Sequence, residues 1–116
     1  MNYTVNDLKV ILNKAQQAAV NASEQKYAEY GTDAVGACGF AWVDIYKFEG
    51  KPIKGNTKIG KMLKQAGIDQ NWQRTFSQWC NWYGGQNIDI KEAGARAYAR
   101  VLEGYGFTAY AGSRLD

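Results

Sequence analysis

Histidine is absent from the chain, and with it go His-ligated metal sites, Ser-His and Cys-His nucleophile pairs, and imidazole acid-base chemistry. An enzyme built on this sequence would have to work through carboxylates, Lys, Arg, Tyr or a hydroxyl. Cysteine is nearly absent: Cys38 and Cys80 are far apart among apolar and aromatic residues, with no C-x-x-C spacing, and are expected to be buried free thiols. A single proline, Pro52, and no low-complexity stretch leave no disordered linker in view. The longest small-and-apolar run, residues 36 to 43, is too short to span a bilayer, and residues 1 to 7 carry no basic segment followed by an apolar one. No membrane partner and a cytoplasmic location are therefore expected. An excess of one charge is also missing, since 14 Lys and Arg face 11 Asp and Glu for a net +3, too little to mark a dedicated nucleic-acid protein.

What the sequence does have is one domain's worth of chain, 116 residues, able to bury about two-thirds of its unfolded surface. Thr4 followed by Asp7 reads as a capping box with Asp in place of Glu. Leu8, Leu12, Ala15, Ala19 and Ala22 then recur at helical spacing to about Tyr30, where Gly31 is a left-handed stop. The lower stripe is Ala, so a neighbour comes close: the protein's own sheet, or the same helix of a second copy. Residues 1–31 are thus an N-terminal helix, and residues 36–116 an α/β body of the same single domain.

In that body, residues 37 to 48 alternate, with Ala41, Val43 and Ile45 on one side and Phe40, Trp42, Tyr46 and Phe48 on the other. Two apolar faces mark a central strand. Gly50, Pro52, Gly55 and Asn56 break the chain before a short helix over residues 58 to 66. Residues 73 to 83 alternate again, closed by a turn at Gly84-Gly85. Asp89 three residues before Glu92 predicts a capped helix over residues 89 to 104, with Glu92 and Arg96 paired on its exposed side. Residues 107 to 111 make a last strand, and residues 112 to 116 a tail. The expected fold is α+β: a small, mostly antiparallel sheet of three or four strands, packed with the N-terminal helix and the 89–104 helix.

Three constellations bear on chemistry. The segment from Gly50 to Thr57 has the glycine spacing of a phosphate loop, but Asn56 stands where its lysine belongs. What survives is a helix start whose backbone N–H groups, beside Lys54, Asn56, Thr57 and Lys58, favour an anion, against the plainer reading of a solvated lysine face. Trp72, Trp79, Trp82 and Tyr83 crowd twelve residues, too many rings for a thin sheet, so some line a groove, a pocket or a dimer contact. Trp79 and Tyr83 share a face with polar Ser77 and Asn81. Asp44 interrupts the aromatic strand face and is expected at the solvent edge or against Arg74 or Arg114.

The run Gly36-Ala37-Cys38-Gly39-Phe40-Ala41-Trp42-Val43, the stretch DIKEAGARAYA over residues 89 to 99, and the ending Ala109-Tyr110-Ala111-Gly112-Ser113-Arg114-Leu115-Asp116 together resemble a family of short bacteriophage and prophage proteins. In these a CGFAWV-like strand, a Gly-Asn or Gly-Asn-Thr/Ser turn before a short helix, a KEAGARAYA helix and a terminal GSR-hydrophobic-D motif recur. The resemblance covers most of residues 36 to 116. It implies a phage setting in the host cytoplasm and carries no reaction with it. In that setting the composition fits a protein without cofactor, metal or catalysis that sequesters an anionic, nucleotide-like host signalling molecule. A base would stack on Trp79 or Tyr83, and Lys54, Lys58 and Arg114 would hold phosphates, with Asn56, Thr57 and Asp44 completing the site. A homo-oligomer is expected from the Ala stripe and the surplus of rings. The competing class is a single-stranded nucleic-acid or protein-protein inhibitor module using the same rings on an open surface.

Overall fold

The computed structural model describes residues 2–30, 37–83 and 87–115. Its elements run α1 (Val5–Tyr30), β1 (Gly39–Phe48), β2 (Lys51–Pro52), α2 (Lys58–Gln65), β3 (Asp69–Gln70), β4 (Phe76–Trp79), α3 (Ile88–Gly104) and β5 (Phe107–Leu115). The turns expected at Gly31 and at Gly84-Gly85 lie outside the described residues.

Helix α1 starts as its sequence requires. The Asp7 N–H donates to Thr4 Oγ1 at 3.1 Å and the Thr4 N–H to Asp7 Oδ2 at 2.8 Å, satisfying two donors at the helix start. Leu8, Ile11, Leu12, Ala15 and Ala19 are buried. The element they face is α3 rather than the sheet, which corrects one expectation. Gly94 permits the close approach: a Cβ there would lie 2.6 Å from Ser23 Oγ and 3.2 Å from the Ala19 carbonyl oxygen. Ser23, itself buried, donates its hydroxyl to the Ile90 carbonyl at 3.0 Å. Helix α3 in turn lies along β1 and β5. The layers are therefore α1, α3 and sheet, with α3 in the middle.

The cap of α3 is Asn87, not Asp89. Asn87 has the extended backbone a cap needs, and its Oδ1 accepts from the N–H groups of Asp89 (2.8 Å) and Ile90 (3.2 Å). Asp89 falls in the first turn, and Glu92 reaches forward to Arg96 at 3.3 Å as its spacing predicts. Asn87→Ala is expected to lower stability by about 1 kcal/mol in urea unfolding, whereas Asn87→Asp retains the acceptor and most of the stability.

All strand pairings are antiparallel and form a five-stranded sheet with β1 at its centre. One edge of β1 holds β5; the other holds β4 and then β2, and β3 extends the sheet beyond β4. The β1–β2 hairpin turns through Glu49 and Gly50, both at positive φ (51° and 79°), as a two-residue turn demands. Register between β1 and β5 shifts at Tyr46. This bulge moves Phe48 off the Trp42 face, where strict alternation placed it, to pack against buried Phe107 with ring centroids 4.8 Å apart and planes tilted by 44°. The expected C-terminal tail is strand to Leu115, because Gly39 to Trp42 offer it an edge to pair with.

The two thiols differ. Cys38 is exposed, contrary to expectation, and Cys80 is buried. Burial pushes the Cys80 thiol up from 9.0 to about 12. An unfolded Cys80 loses its proton near 9.0 and the folded one only near 12, so its contribution to stability is complete below pH 9 and is lost as pH rises through that window. Burial also raises the Tyr98 phenol, with Cys80 adding to it, in the same direction. We expect one thiol per chain to react with a thiol reagent at pH 8 and the second only after denaturation. Stability should fall above pH 9, and less steeply in Cys80→Ala.

Candidate functional site

The sheet has one face toward α3 and one without a covering layer among the described residues. On the covered face lie Ala41, Val43, Ile45, Phe76 and Ala109, all buried. The pleat therefore puts Phe40, Trp42, Asp44, Ser77, Trp79, Tyr110 and Arg114 on the other. Cross-strand register brings them together: Trp42 lies between Trp79 and Gly112, Asp44 between Ser77 and Tyr110, and Phe40 opposite Arg114. Ser77 in turn faces Asp69 on β3.

The rings stand edge-on to one another. Trp79 meets Trp42 at 5.6 Å and Phe40 at 6.0 Å, at 72° and 73° between planes, a favoured aromatic geometry. Gly112 is what lets the Trp42 indole lie flat on β5, since a Cβ there would sit 2.6 to 2.9 Å from its ring. So placed, the indole N–H of Trp42 donates to Asp44 Oδ2 at 3.2 Å, and the Tyr46 hydroxyl donates to the same oxygen at 3.3 Å. Partial burial, then the Asp44 charge and the hydrogen bond to it, push the Tyr46 phenol up. Asp44 Oδ1 is shut off from solvent and has no hydrogen-bond partner among the described residues.

A hollow of about 700 Å³ opens over this face, lined by Trp42, Asp44, Asp69, Trp72, Trp79 and Arg114 among others. Its rim is held by Asn71. The Asn71 side chain accepts from the N–H groups of Gln73 (2.9 Å) and Thr75 (3.1 Å), and Arg74 turns the chain at positive φ. That turn projects Trp72, which is 89% exposed. At the other end, the Arg114 guanidinium lies 5.7 Å from the Phe40 ring centroid. The Lys91 ammonium, buried, lies 5.3 Å from the same centroid and donates to the Gly39 carbonyl at 3.0 Å.

Of the residues singled out from sequence, Asp44, Trp79 and Arg114 share this hollow. Among the described residues no ion pair joins Asp44 to Arg114 or Arg74; its partners are Trp42 and Tyr46. Tyr83 does not line the hollow and packs edge-on to Tyr27 at 5.8 Å. Lys54, Asn56, Thr57 and Lys58 form the turn into α2. There Thr57 accepts from the Gly60 N–H at 3.1 Å and donates to the Lys54 carbonyl at 2.6 Å. One of the backbone donors expected to serve an anion is thus already used. Thr57 and Lys58 line a separate hollow of about 340 Å³ with Tyr3, Phe48 and Met62. Among the described residues, no group of His, Cys, Asp and Glu could hold a metal ion, and no helix is long and apolar enough to cross a membrane.

Trp72 and Asp69, which line the hollow, escaped the sequence reading as site residues. Trp72 belonged to the ring cluster, but Asp69 carries no periodic signal. Comparison with protein-family models, with curated proteins and with solved structures gives no match. What the fold and hollow define is a class: an α+β protein with an open-faced sheet bearing a ring-walled, carboxylate-floored pocket.

Proposed function

We propose that this is a non-catalytic, phage-encoded protein that binds a nucleotide-like host signalling molecule on its open sheet face. The observation that carries the reading is the meeting of Trp42, Trp72 and Trp79 with Asp44 and Arg114 in one hollow. The indoles offer flat walls for a heterocycle, the carboxylate accepts its N–H groups, and the guanidinium takes an anionic substituent. The phosphate end rests on Arg114, since Lys54 and Lys58 are outside the hollow. Its lining has two carboxylates, Asp44 and Asp69, against that single guanidinium. Such a balance suits a ligand with one anionic group better than a strand whose every phosphate seeks a cation.

A second copy remains part of the proposal on narrower ground. Ala15 and Ala19 are buried within the chain, but Trp72, Trp79 and Tyr110 are more than half exposed. Light scattering giving a 12.9 kDa species would remove it.

The binding test is direct. Mass spectrometry of compounds released by heating the purified protein, with calorimetric titration of linear and cyclic nucleotides, should reveal one ligand class. Trp79→Ala should weaken its binding by about 1 to 3 kcal/mol with the unfolding midpoint little changed. A salt-sensitive gel shift with single-stranded DNA or RNA and no small-molecule binding would favour the nucleic-acid module instead.

A further inference from the structure

We infer that the base recognised in this hollow is guanine and that Asp44 reads it; the inference rests on the nucleotide reading given above. An ionised carboxylate only accepts hydrogen bonds. Asp44 Oδ2 already accepts from Trp42 and Tyr46, whereas Oδ1, shielded from water, accepts from nothing among the described residues. A charged oxygen so placed is costly until a donor meets it. The group the site calls for therefore brings donors, and brings them on a flat edge that the indole walls accept.

Among nucleobases only guanine answers fully. Its N1–H and exocyclic N2–H groups form a fork of two adjacent donors, which can converge on the two open acceptor sites of Oδ1. Adenine and cytosine place a ring-nitrogen lone pair beside their amino group, which would be set against the carboxylate. Uracil has one N–H flanked by two carbonyl oxygens. The second carboxylate sharpens this choice, because Asp44, Ser77 and Asp69 stand in one row across β1, β4 and β3. Their backbones are roughly 4.8 Å apart from strand to strand. Acceptor edges are repelled at both ends of the row. Asp44 is itself one of the residues lining the hollow, and Oδ1, with almost no accessible surface of its own, is met once the side chains beside it shift.

The experiment is calorimetric titration of the full chain with guanosine, inosine, adenosine and xanthosine monophosphates, repeated on Asp44→Asn. Guanosine monophosphate should bind on the order of tenfold to a hundredfold tighter than the adenosine nucleotide. It should also bind tighter than the inosine nucleotide, which differs only in lacking the N2 amino group; this comparison needs no variant. In Asp44→Asn the amide can donate to the xanthine O2, so preference should pass from guanosine to xanthosine monophosphate. Equal binding of guanosine and adenosine nucleotides overturns the inference and leaves the nucleotide site standing. An undiminished guanine preference in Asp44→Asn overturns the role of Asp44. Binding of none of the four by the unaltered protein overturns both the inference and the reading beneath it.

Discussion

Tyr98→Ala is expected to lower the unfolding free energy by about 3 to 5 kcal/mol and the thermal midpoint by on the order of 10 to 20 °C. Tyr98 lies on α3, the middle layer, and is 2% exposed. Its ring stacks on Trp82 at 5.5 Å with 19° between planes. Truncation removes an aromatic ring where neither the Ala-lined helix contact nor the sheet can collapse to fill the space, and a cavity adds its own cost to the lost burial. Tyr98→Phe retains the ring and isolates the hydroxyl. Urea and thermal unfolding of the two variants decide the matter: a loss below about 1 kcal/mol in Tyr98→Ala would mean that α3 does not tie the layers together.

Gly112→Val should abolish ligand binding on the open face while leaving the far-ultraviolet dichroism of the helices in place. The new Cβ would enter the Trp42 indole, whose Nε1, Cε2 and Cζ2 atoms lie 2.6, 2.7 and 2.9 Å from its position. The indole must swing away, and Asp44 then loses its 3.2 Å donor as well as one wall of the hollow. The Trp42 indole N–H resonance should move before any ligand is added, and titration should show at least a tenfold loss, about 1.4 kcal/mol. The overpacking itself should cost about 1 to 3 kcal/mol of stability. Unchanged affinity would place the ligand away from Trp42.

How much of this could be read from residues alone depended on whether a feature was periodic. Helix α1 was legible at both ends of its first turn because Thr4 and Asp7 can serve no other pairing so well, and β1 because its residues alternate from Phe40 to Ile45, up to the bulge at Tyr46. The cap of α3 was misplaced by two residues. Asp89 and Glu92 have capping spacing, but the cap is whichever residue keeps an extended backbone, and that is Asn87. Strands β2 and β3 are two residues long, too short for any period. Gly112 and Ser113 have the composition of a tail, yet they are strand because β1 offers them an unfilled edge. The same logic governs the site. Asp44 and Trp79 could be placed by strand parity, and Arg114 by its motif. The lysines before α2 looked like a phosphate cradle because linear proximity says nothing of which hollow a turn faces. Trp72 and Asp69 owe their position to the turn that Asn71 closes, a hydrogen-bond pattern without a spacing signature.

The distribution of the four tryptophans gives this chain a built-in optical reporter. Trp42, Trp72 and Trp79 line the hollow, while Trp82, half-buried, stacks on the buried Tyr98 against the core. Intrinsic emission therefore comes mostly from the open face, and a heterocycle stacked there should quench it without any label. Trp82 supplies a separate, bluer component that responds to loss of the core. A Trp82→Phe chain would report occupancy alone, and a chain keeping only Trp82 would report folding alone. The close, edge-on Trp42 and Trp79 rings should also give a coupled near-ultraviolet dichroism band that vanishes when either ring turns.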